Sequence, residues 1–170
     1  MQLHTYCWQQ MLLHWVSALV IVWALVSGFY VSGFTVEPAT AQSISFLNVG
    51  LTTLFIPVFL LRWLMRYLKP RPCALNENPW ARRIAHVVHE GIYWLTAIVL
   101  ASGVLMMDRA IDVFGWFAIE PWLTDPFWLR VWFMLHIAAN VALALAVAVH
   151  VGAVAIHEFA GRRVVSRMLP

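Results

Sequence analysis

The sequence predicts an all-α membrane protein, a bundle of four transmembrane helices. Of its 170 residues 62% are hydrophobic and only 11% are charged. Four apolar runs are each long enough to cross a bilayer, which takes about 20 helical residues. Ten Trp, four Tyr and ten Phe suit the aromatic belts of a membrane interface. A soluble domain of this length does not need so much apolar surface, so we expect one domain, residues 1–170, in the lipid bilayer.

The four helices are expected at about residues 11–34, 44–68, 84–107 and 127–159. The first run is not interpreted as a secretory signal, because it is too long for an h-region and no Lys or Arg precedes it. Pro57 lies inside the second run, and membrane bundles tolerate an internal proline better than soluble folds do. The connection 69–83 is polar. The connection 108–126 is acidic and aromatic, and we expect part of it to lie along the membrane surface.

The basic residues predict the orientation of the bundle. One side carries most of them: Arg62, Arg66, Lys69, Arg71, Arg82, Arg83, Arg162, Arg163 and Arg167. The other side has only Arg109 and Arg130. By the positive-inside rule, both termini and the 69–83 connection are cytoplasmic. This topology explains the positive charge, so we expect no nucleic-acid partner. Neither cysteine belongs to a Cys-x-x-Cys-His motif, which excludes covalent haem attachment through it.

Two histidines in the fourth helix indicate a functional site. His136 and His150 are fourteen residues apart, close to four helical turns, so both imidazoles leave nearly the same face about 21 Å apart along the axis. Ionisable residues inside a membrane are costly and indicate function by default. Axial ligation of haem iron, with one centre near each membrane face, is the simplest chemistry that requires them. Small residues between them would leave room for a macrocycle, although such a stripe is more often a helix-packing face.

Depth in the membrane suggests how the imidazoles pair. His14 begins the first helix and His150 is late in the fourth, so both lie toward the cytoplasmic face and form a candidate bis-imidazole pair. His136 lies toward the opposite face and needs a partner from another helix. His86 and His89 share a face of the third helix. We favour an interfacial role for these two, with a proton path to a quinone or a bond to a haem propionate as the alternative.

Three further residues near the cytoplasmic face each have two interpretations. His157 follows His150 by seven residues, near the same face, and is either interfacial or functional. Arg62 and Arg66 either extend toward the interface, as long basic side chains do by default, or pair with haem propionates.

Several segments resemble the bacterial cytochrome b561 family, whose members are four-helix membrane cytochromes that carry b-type haem and exchange electrons with quinone. The similarity runs nearly end to end. The matching segments are MLLHWVSAL, FLLRWLMRYLKPRP, IAHVVHEGIYWL and, after the His136-to-His150 interval, HEFAGRRVVSRMLP. The resemblance implies a multi-pass protein of the bacterial inner (cytoplasmic) membrane. It also implies haem b, with its iron, as the cofactor. A quinone is the implied substrate, with ubiquinone as the candidate.

The resemblance implies that His14 and His150 ligate the cytoplasmic-side haem. It also implies that His136 ligates a second haem together with a histidine early in the second helix. Here Asn48 stands at that position, and a carboxamide is a poor iron ligand. Three arrangements remain open: no second haem, a five-coordinate haem on His136, or a substitute ligand. Met106 and Met107 are the candidate substitutes, and we favour the five-coordinate haem.

We therefore expect a membrane b-type cytochrome that moves electrons between the quinone pool and a donor or acceptor at the periplasmic face. Some family members resemble superoxide-oxidising enzymes that reduce ubiquinone, and whether this chain is catalytic in that way stays open. The alternative is a haem-bearing membrane-anchor subunit, similar to the cytochrome b subunits of hydrogenases and formate dehydrogenases. Such a subunit would receive electrons from a partner protein.

Overall fold

A computed structural model describes residues 7–68, 79–161 and 164–168. Within these residues the chain forms four long helices: α1 (Trp8–Gly33), α2 (Pro38–Leu68), α3 (Pro79–Leu105) and α4 (Pro126–Phe159). All four are long and apolar enough to cross a membrane. The all-α fold with four membrane-spanning helices is therefore confirmed. A short 3₁₀ turn, Val165–Met168, follows α4.

The second helix begins six residues earlier than expected. The sequence places the start of this helix at about residue 44, but α2 already starts at Pro38. Proline is favoured in the first turn, where its fixed φ suits the helix and its missing N–H would have had no partner. The carboxylate of Glu37 accepts hydrogen bonds from the backbone nitrogen of Thr40 at 3.0 Å and from its hydroxyl at 3.1 Å. Local capping thus extends a helix that apolar content alone would begin later.

The other two prolines at helix starts act in the same way. The third helix begins at Pro79, and the part of the expected 69–83 connection before it lies outside the described residues. At the start of α4, Asp125 is the N-cap and its side chain accepts from the backbone nitrogen of Phe127 at 2.8 Å. Pro57 lies inside α2 without ending it.

The connection between α3 and α4 contains a small β-hairpin that the sequence did not predict. Strands β1 (Ile111–Val113) and β2 (Phe117–Ile119) pair antiparallel. In the turn, Phe114 adopts a φ of 55° and Gly115 a φ of 73°. The side chain of Asp112 accepts from the backbone nitrogen of Gly115 at 2.7 Å, which stabilises this turn. Strand β1 packs on α2, so the hairpin covers one end of the bundle.

The bundle consists of two helical hairpins, α1–α2 and α3–α4. Each pair packs closely, and α2 makes a smaller contact with α3. We call the end where α1 begins and α4 ends the terminal end, and the end with the β-hairpin the hairpin end. The central core draws on all four helices through Ile21, Leu25, Phe55, Phe59, Leu100 and Leu143.

Buried polar residues in the bundle are small hydroxyl side chains, while many large apolar side chains face outward. Ser17 and Ser102 are fully buried and Thr96 is 2% exposed. Each hydroxyl donates to the carbonyl four residues earlier in its own helix, at 2.6 to 2.7 Å. Small residues at helix contacts and large apolar residues outside are typical of helices packed within lipid.

Candidate functional site

Each membrane helix carries, among its polar side chains, one pair separated by 13 or 14 residues. The pairs are His14 and Ser27, Asn48 and Arg62, His89 and Ser102, and His136 and His150. At 1.5 Å per residue the interval is about 20 Å. Because successive helices run in opposite directions, these side chains form two clusters. The terminal-end cluster is His14, Arg62, His89 and His150, and the hairpin-end cluster is Ser27, Asn48, Ser102 and His136.

The terminal-end cluster brings together imidazoles from three helices. The rings of His89 and His150 are 4.9 Å apart, centroid to centroid, and meet at 68°. His150 and His89 both lie close enough to His14 to interact with it electrostatically. The His14 and His150 side chains predicted as a pair thus lie at the same end of the bundle. Their role as iron ligands remains a prediction.

Arginine side chains from α2 surround the same cluster. Arg62 Nη2 lies 3.0 Å from His14 Nδ1. The guanidinium groups of Arg62 and Arg66 lie over the ring of Tyr93, at 5.1 and 4.5 Å from its centroid. Arg66 also forms an ion pair with Glu90 of α3, and the Arg66 side chain is only 7% exposed. Both arginine side chains therefore lie inside the bundle, where their positive charges can neutralise an anionic ligand.

The contact with Arg62 fixes the hydrogen-bonding state of His14. A guanidinium has donors and no acceptor, so Nδ1 of His14 must be the acceptor and carry no proton. His89 shows the reverse arrangement, because its Nδ1 lies 2.6 Å from the carbonyl oxygen of Ala85, which can only accept. Nδ1 of His89 is therefore the protonated nitrogen of that ring.

In the hairpin-end cluster, the ring of His136 is held by α3. Its Nδ1 lies 3.1 Å from the carbonyl oxygen of Val99 and 3.1 Å from Oγ of Ser102. Since the carbonyl can only accept, Nδ1 carries the proton and Nε2 keeps its lone pair. Gly103 makes the close approach possible: a Cβ there would lie 3.3 Å from Cε1 of His136. A histidine whose Nδ1 donates to a backbone carbonyl has the orientation of a typical metal ligand.

The other two members of the hairpin-end cluster join α1 to α2. The hydroxyl of Ser27 donates to the carbonyl of Trp23 at 2.6 Å and lies 2.9 Å from Oδ1 of Asn48. Ser27 is 5% exposed, so this contact is inside the bundle. The position where the resemblance implies a histidine is therefore occupied by an amide that contacts a neighbouring helix.

A narrow, partly open cavity lies between the two clusters. All four helices line it with mainly apolar side chains. Its polar lining groups are Thr52, Thr96 and Asn140. Thr52 donates to the carbonyl of Asn48 at 2.6 Å and Asn140 to that of His136 at 2.8 Å. Each pair is one helical turn apart, so the cavity lies directly beside the hairpin-end cluster.

Comparison with known proteins identifies the family. The family model of prokaryotic cytochrome b561 matches residues 5–170. The chain belongs to the prokaryotic cytochrome b561 family. It is also similar to cytochrome b561 homolog 2 of Escherichia coli (strain K12), with 28% identity over 124 residues, which is 66% of this chain. The match spans 62% of the length of that relative.

Membership of the family confirms several sequence-based predictions at a coarse level. The chain is a multi-pass membrane protein of a bacterial b-type cytochrome family. The family to which the sequence was compared is confirmed, and membership of that family implies the haem cofactor. The identities of the axial ligands, the quinone and the redox partner are more specific, and they remain predictions.

The side chains of this cytochrome fit a haem. Among the described residues, no group of three or more His, Cys, Asp or Glu could hold a bare metal ion. Haem needs only axial imidazoles, because the porphyrin nitrogens supply the other donors. Nε2 of His136 is available as such a ligand. At the other end, Nη1 of Arg66 and Nε1 of Trp63 are buried donors without a hydrogen-bond partner in the described part of the chain. Carboxylates such as the propionates of haem would satisfy such donors.

Sequence reasoning missed part of both clusters. His89 was expected to be interfacial, and although it is exposed, its ring contacts that of His150. Ser27 and Ser102 were not considered. The sequence contained a signal for both serines. His14 and Ser27 are 13 residues apart, as are His89 and Ser102, and His136 and His150 are 14 residues apart. His157 lies in the last turn of α4.

Proposed function

We propose that this cytochrome b561 moves electrons between the quinone pool and a donor or acceptor at the hairpin end. One haem would lie in the terminal-end cluster, with His14 and His150 as axial ligands. The observation that carries this proposal is that His14, in contact with Arg62, and His150, in contact with His89, lie at the same end of the bundle on the first and last membrane helices. When bound, the haem supplies a reversible one-electron couple within the low-dielectric bundle.

Arg62 would exchange partners when His14 binds iron. Ligation through Nε2 requires the proton on Nδ1, and a ring in that state cannot accept from Arg62. The guanidinium released from His14 would bind a propionate instead, next to Arg66 with its unpaired Nη1. Tyr93 keeps both cations in place through its ring face. The same arginines would therefore neutralise the anionic edge of the cofactor.

Acid–base groups at the terminal end would take up the protons released when a quinol is oxidised. Nδ1 of His86 lies 3.8 Å from Oε1 of Glu90, which also forms the ion pair with Arg66. The side chain of His86 is 55% exposed and that of Glu90 27%. This series of groups extends from the exposed surface to the buried arginine. It therefore supports a quinone position near the terminal end.

We place the terminal end in the cytoplasm and the protein in the bacterial cytoplasmic membrane. Among the described residues, Arg62, Arg66, Arg82 and Arg83 belong to the terminal halves of α2 and α3. The hairpin end is acidic: Glu37, Asp108, Asp112, Glu120 and Asp125, with Arg109 and Arg130. The positive-inside rule then directs the hairpin end to the periplasm.

The test is reduction of the haem by a quinol. A short-chain ubiquinol is added anaerobically to the purified, full-length, haem-loaded protein, and the reduced b-type absorption band is followed with time. We expect rapid reduction in the wild type and slower reduction in Glu90→Gln, because the proton acceptor is lost. Glu120→Gln, an exposed carboxylate at the other end, is the matched control and should keep the wild-type rate. A haem that exchanges no electrons with ubiquinol or ubiquinone would overturn the proposal.

Two alternatives make different predictions in the same preparation. A superoxide:ubiquinone oxidoreductase would consume superoxide in proportion to the ubiquinone added. The acidic hairpin end does not attract an anion, except near Arg109 and Arg130, so we expect little such activity. A membrane-anchor subunit would co-purify with a large dehydrogenase or hydrogenase and receive electrons only from that partner. Haem reduction by ubiquinol without a partner protein favours the independent cytochrome.

A further inference from the structure

We infer that the hairpin-end cluster binds a haem through His136 alone and leaves the opposite axial position open to a small neutral diatomic ligand. This inference rests on the proposed function, since it requires that the clusters hold haem. It goes beyond that function because it assigns to this end a binding site for a dissolved gas molecule. The two ends of the bundle would then differ in chemistry: a closed electron-transfer centre at one and a ligand-binding centre at the other.

The first support is the number of imidazoles at each end. The terminal-end cluster contains three, from α1, α3 and α4. The hairpin-end cluster contains only that of His136, and its other members are two serines and an asparagine. No histidine lies between residues 14 and 86, so neither the second half of α1 nor any part of α2 can supply one. A bis-imidazole centre is therefore possible only at the terminal end.

The second support is the orientation of His136. Nδ1 is held by the carbonyl of Val99 and lies beside the hydroxyl of Ser102, both 3.1 Å away, which leaves the lone pair on Nε2. Ser102 is fully buried, and Gly103 leaves room for the ring. These contacts with α3 fix the direction of the ring, as expected of a single strong axial ligand.

The third support is the chemistry of the side chains on α1 and α2. Asn48 is one turn from Thr52, and His136 is one turn from Asn140. Thr52 and Asn140 line the same cavity, so Asn48 and His136 lie on the sides of their helices that face it. A carboxamide is a weak ligand for iron, but it offers hydrogen-bond donors to a small polar molecule. The Oδ1 atom of Asn48 contacts the buried hydroxyl of Ser27 on α1, and this contact holds the Asn48 side chain in place.

A thioether could compete for the open position. The backbone nitrogen of Met106 donates to the carbonyl of Ser102 at 2.9 Å, so Met106 continues the last turn of α3. It therefore follows Ser102 on the same side of that helix. Histidine–methionine ligation would give a six-coordinate, low-spin haem, and this difference in spin state separates the two arrangements.

Carbon monoxide is the probe that tests the inference. The full-length protein is purified with its haem, and the ferric spin state and the reduced-plus-CO difference spectrum are recorded. We expect about half of the haem to be high-spin and to bind CO, while the low-spin remainder does not. His136→Ala should abolish CO binding and retain the low-spin band. Met106→Leu should change neither signal.

The decisive variant is Asn48→His. An imidazole at this position should fill the open site, remove CO binding and convert the high-spin haem to low-spin. Leu47→His is the matched control, because Leu47 is 43% exposed on the outer side of α2 and a histidine there should leave CO binding intact. The inference is overturned if the wild type contains only low-spin haem or binds no CO. It is equally overturned if Asn48→His leaves the CO-binding fraction unchanged, or if Met106→Leu creates CO binding.

These outcomes are separate from those of the proposed function. If the haem exchanges no electrons with quinol but half of it binds CO, only the proposed function fails. If quinol reduces a purely low-spin haem that does not bind CO, only the present inference fails.

Discussion

Nδ1 of His136 lies 3.1 Å from the carbonyl oxygen of Val99, and this contact joins α4 to α3 at the level of the hairpin-end cluster. A backbone carbonyl cannot rotate away as a side chain can. The contact therefore fixes both the proton position and the direction of the imidazole. Gly103 completes the arrangement, since its missing side chain leaves the space beside the ring.

The first prediction concerns that space. Gly103→Val should displace the ring of His136, because even a Cβ would lie 3.3 Å from Cε1 and the valine adds two methyl groups. We expect the variant to lose CO-binding haem and retain the low-spin band. Gly28→Val in α1 is the matched control, because a Cβ there would have no neighbour within 4 Å. Equal haem spectra for the two variants would contradict the assigned role of Gly103.

The second prediction concerns the contact between the β-hairpin and α2. A Cβ on Gly50 would lie 2.8 Å from Cζ of Phe114, whose ring also meets that of Phe46 at 5.6 Å. Gly50→Ala should therefore destabilise the protein by about 1–3 kcal/mol, the usual cost of overpacking. Thermal denaturation in detergent measures the loss. In Phe114→Ala the clash is absent, so adding Gly50→Ala to it should cost less than in the wild type. Strict additivity would show that the ring does not pack on Gly50.

Much of the fold could be predicted from the sequence, because lipid imposes a simple rule on helix composition. A span must be apolar and about 20 residues long, and the approximate positions of all four helices follow from that. The early start of α2 could not be read in the same way. Polar residues such as Thr40 and Ser43 conceal a helical turn that Pro38 and Glu37 begin. The hairpin between α3 and α4 was missed because its strands have only three residues each and their burial depends on docking against α2.

For the site, the candidate ligands could be predicted but not their surroundings. Histidine in an apolar helix is conspicuous, so His14, His136 and His150 were identified from the sequence. Which nitrogen of each ring is protonated depends on partners from other helices, such as Arg62 for His14 and Val99 for His136. Ser102 was not identified because the hydroxyl of a serine in a membrane helix usually donates a hydrogen bond to a backbone carbonyl of its own helix. It does so here as well, while also contacting His136.

The third prediction concerns the ion pair at the terminal end. Glu90→Gln should leave the charge of Arg66 without its carboxylate in a site where the arginine is only 7% exposed. We expect a loss of about 1–3 kcal/mol, as for a buried donor whose partner is removed. Thermal denaturation of the protein without haem measures it, so that propionates do not replace the carboxylate. Arg66→Met combined with Glu90→Gln should recover part of the loss, since no buried charge then remains. No recovery in the double variant would contradict the burial of an unpaired cation as the cause.

The fourth prediction concerns pH and the start of α2. Hydrogen bonds from the backbone N–H of Thr40, then that of Ala39, and from the Thr40 hydroxyl hold the pKa of Glu37 below its usual value. A carboxyl group whose pKa is lower in the folded state stabilises the protein above its unfolded pKa, about 4.3 for Glu. That contribution is lost as the pH falls through the folded pKa.

Glu37→Gln imitates the protonated carboxyl group, so it should melt below the wild type near pH 7. The gap in melting temperature should close as the pH is lowered below about 4. The exposed Glu120→Gln serves as the control and should show no such gap. A gap for Glu37→Gln that persists unchanged at acid pH would contradict a role for the ionised carboxylate in capping α2.

The fifth prediction tests the assignment of the terminal-end ligands most directly. Low-spin haem is quantified by electron paramagnetic resonance and by the reduced b-type absorption band in His14→Ala, His150→Ala and, as the matched control, His89→Ala. The ring of His89 lies 4.9 Å from that of His150 but has no predicted ligand role. This ligand assignment predicts that the low-spin signal disappears in His14→Ala and in His150→Ala and survives in His89→Ala. A low-spin signal that survives both of the first two substitutions, or disappears in His89→Ala, would contradict it.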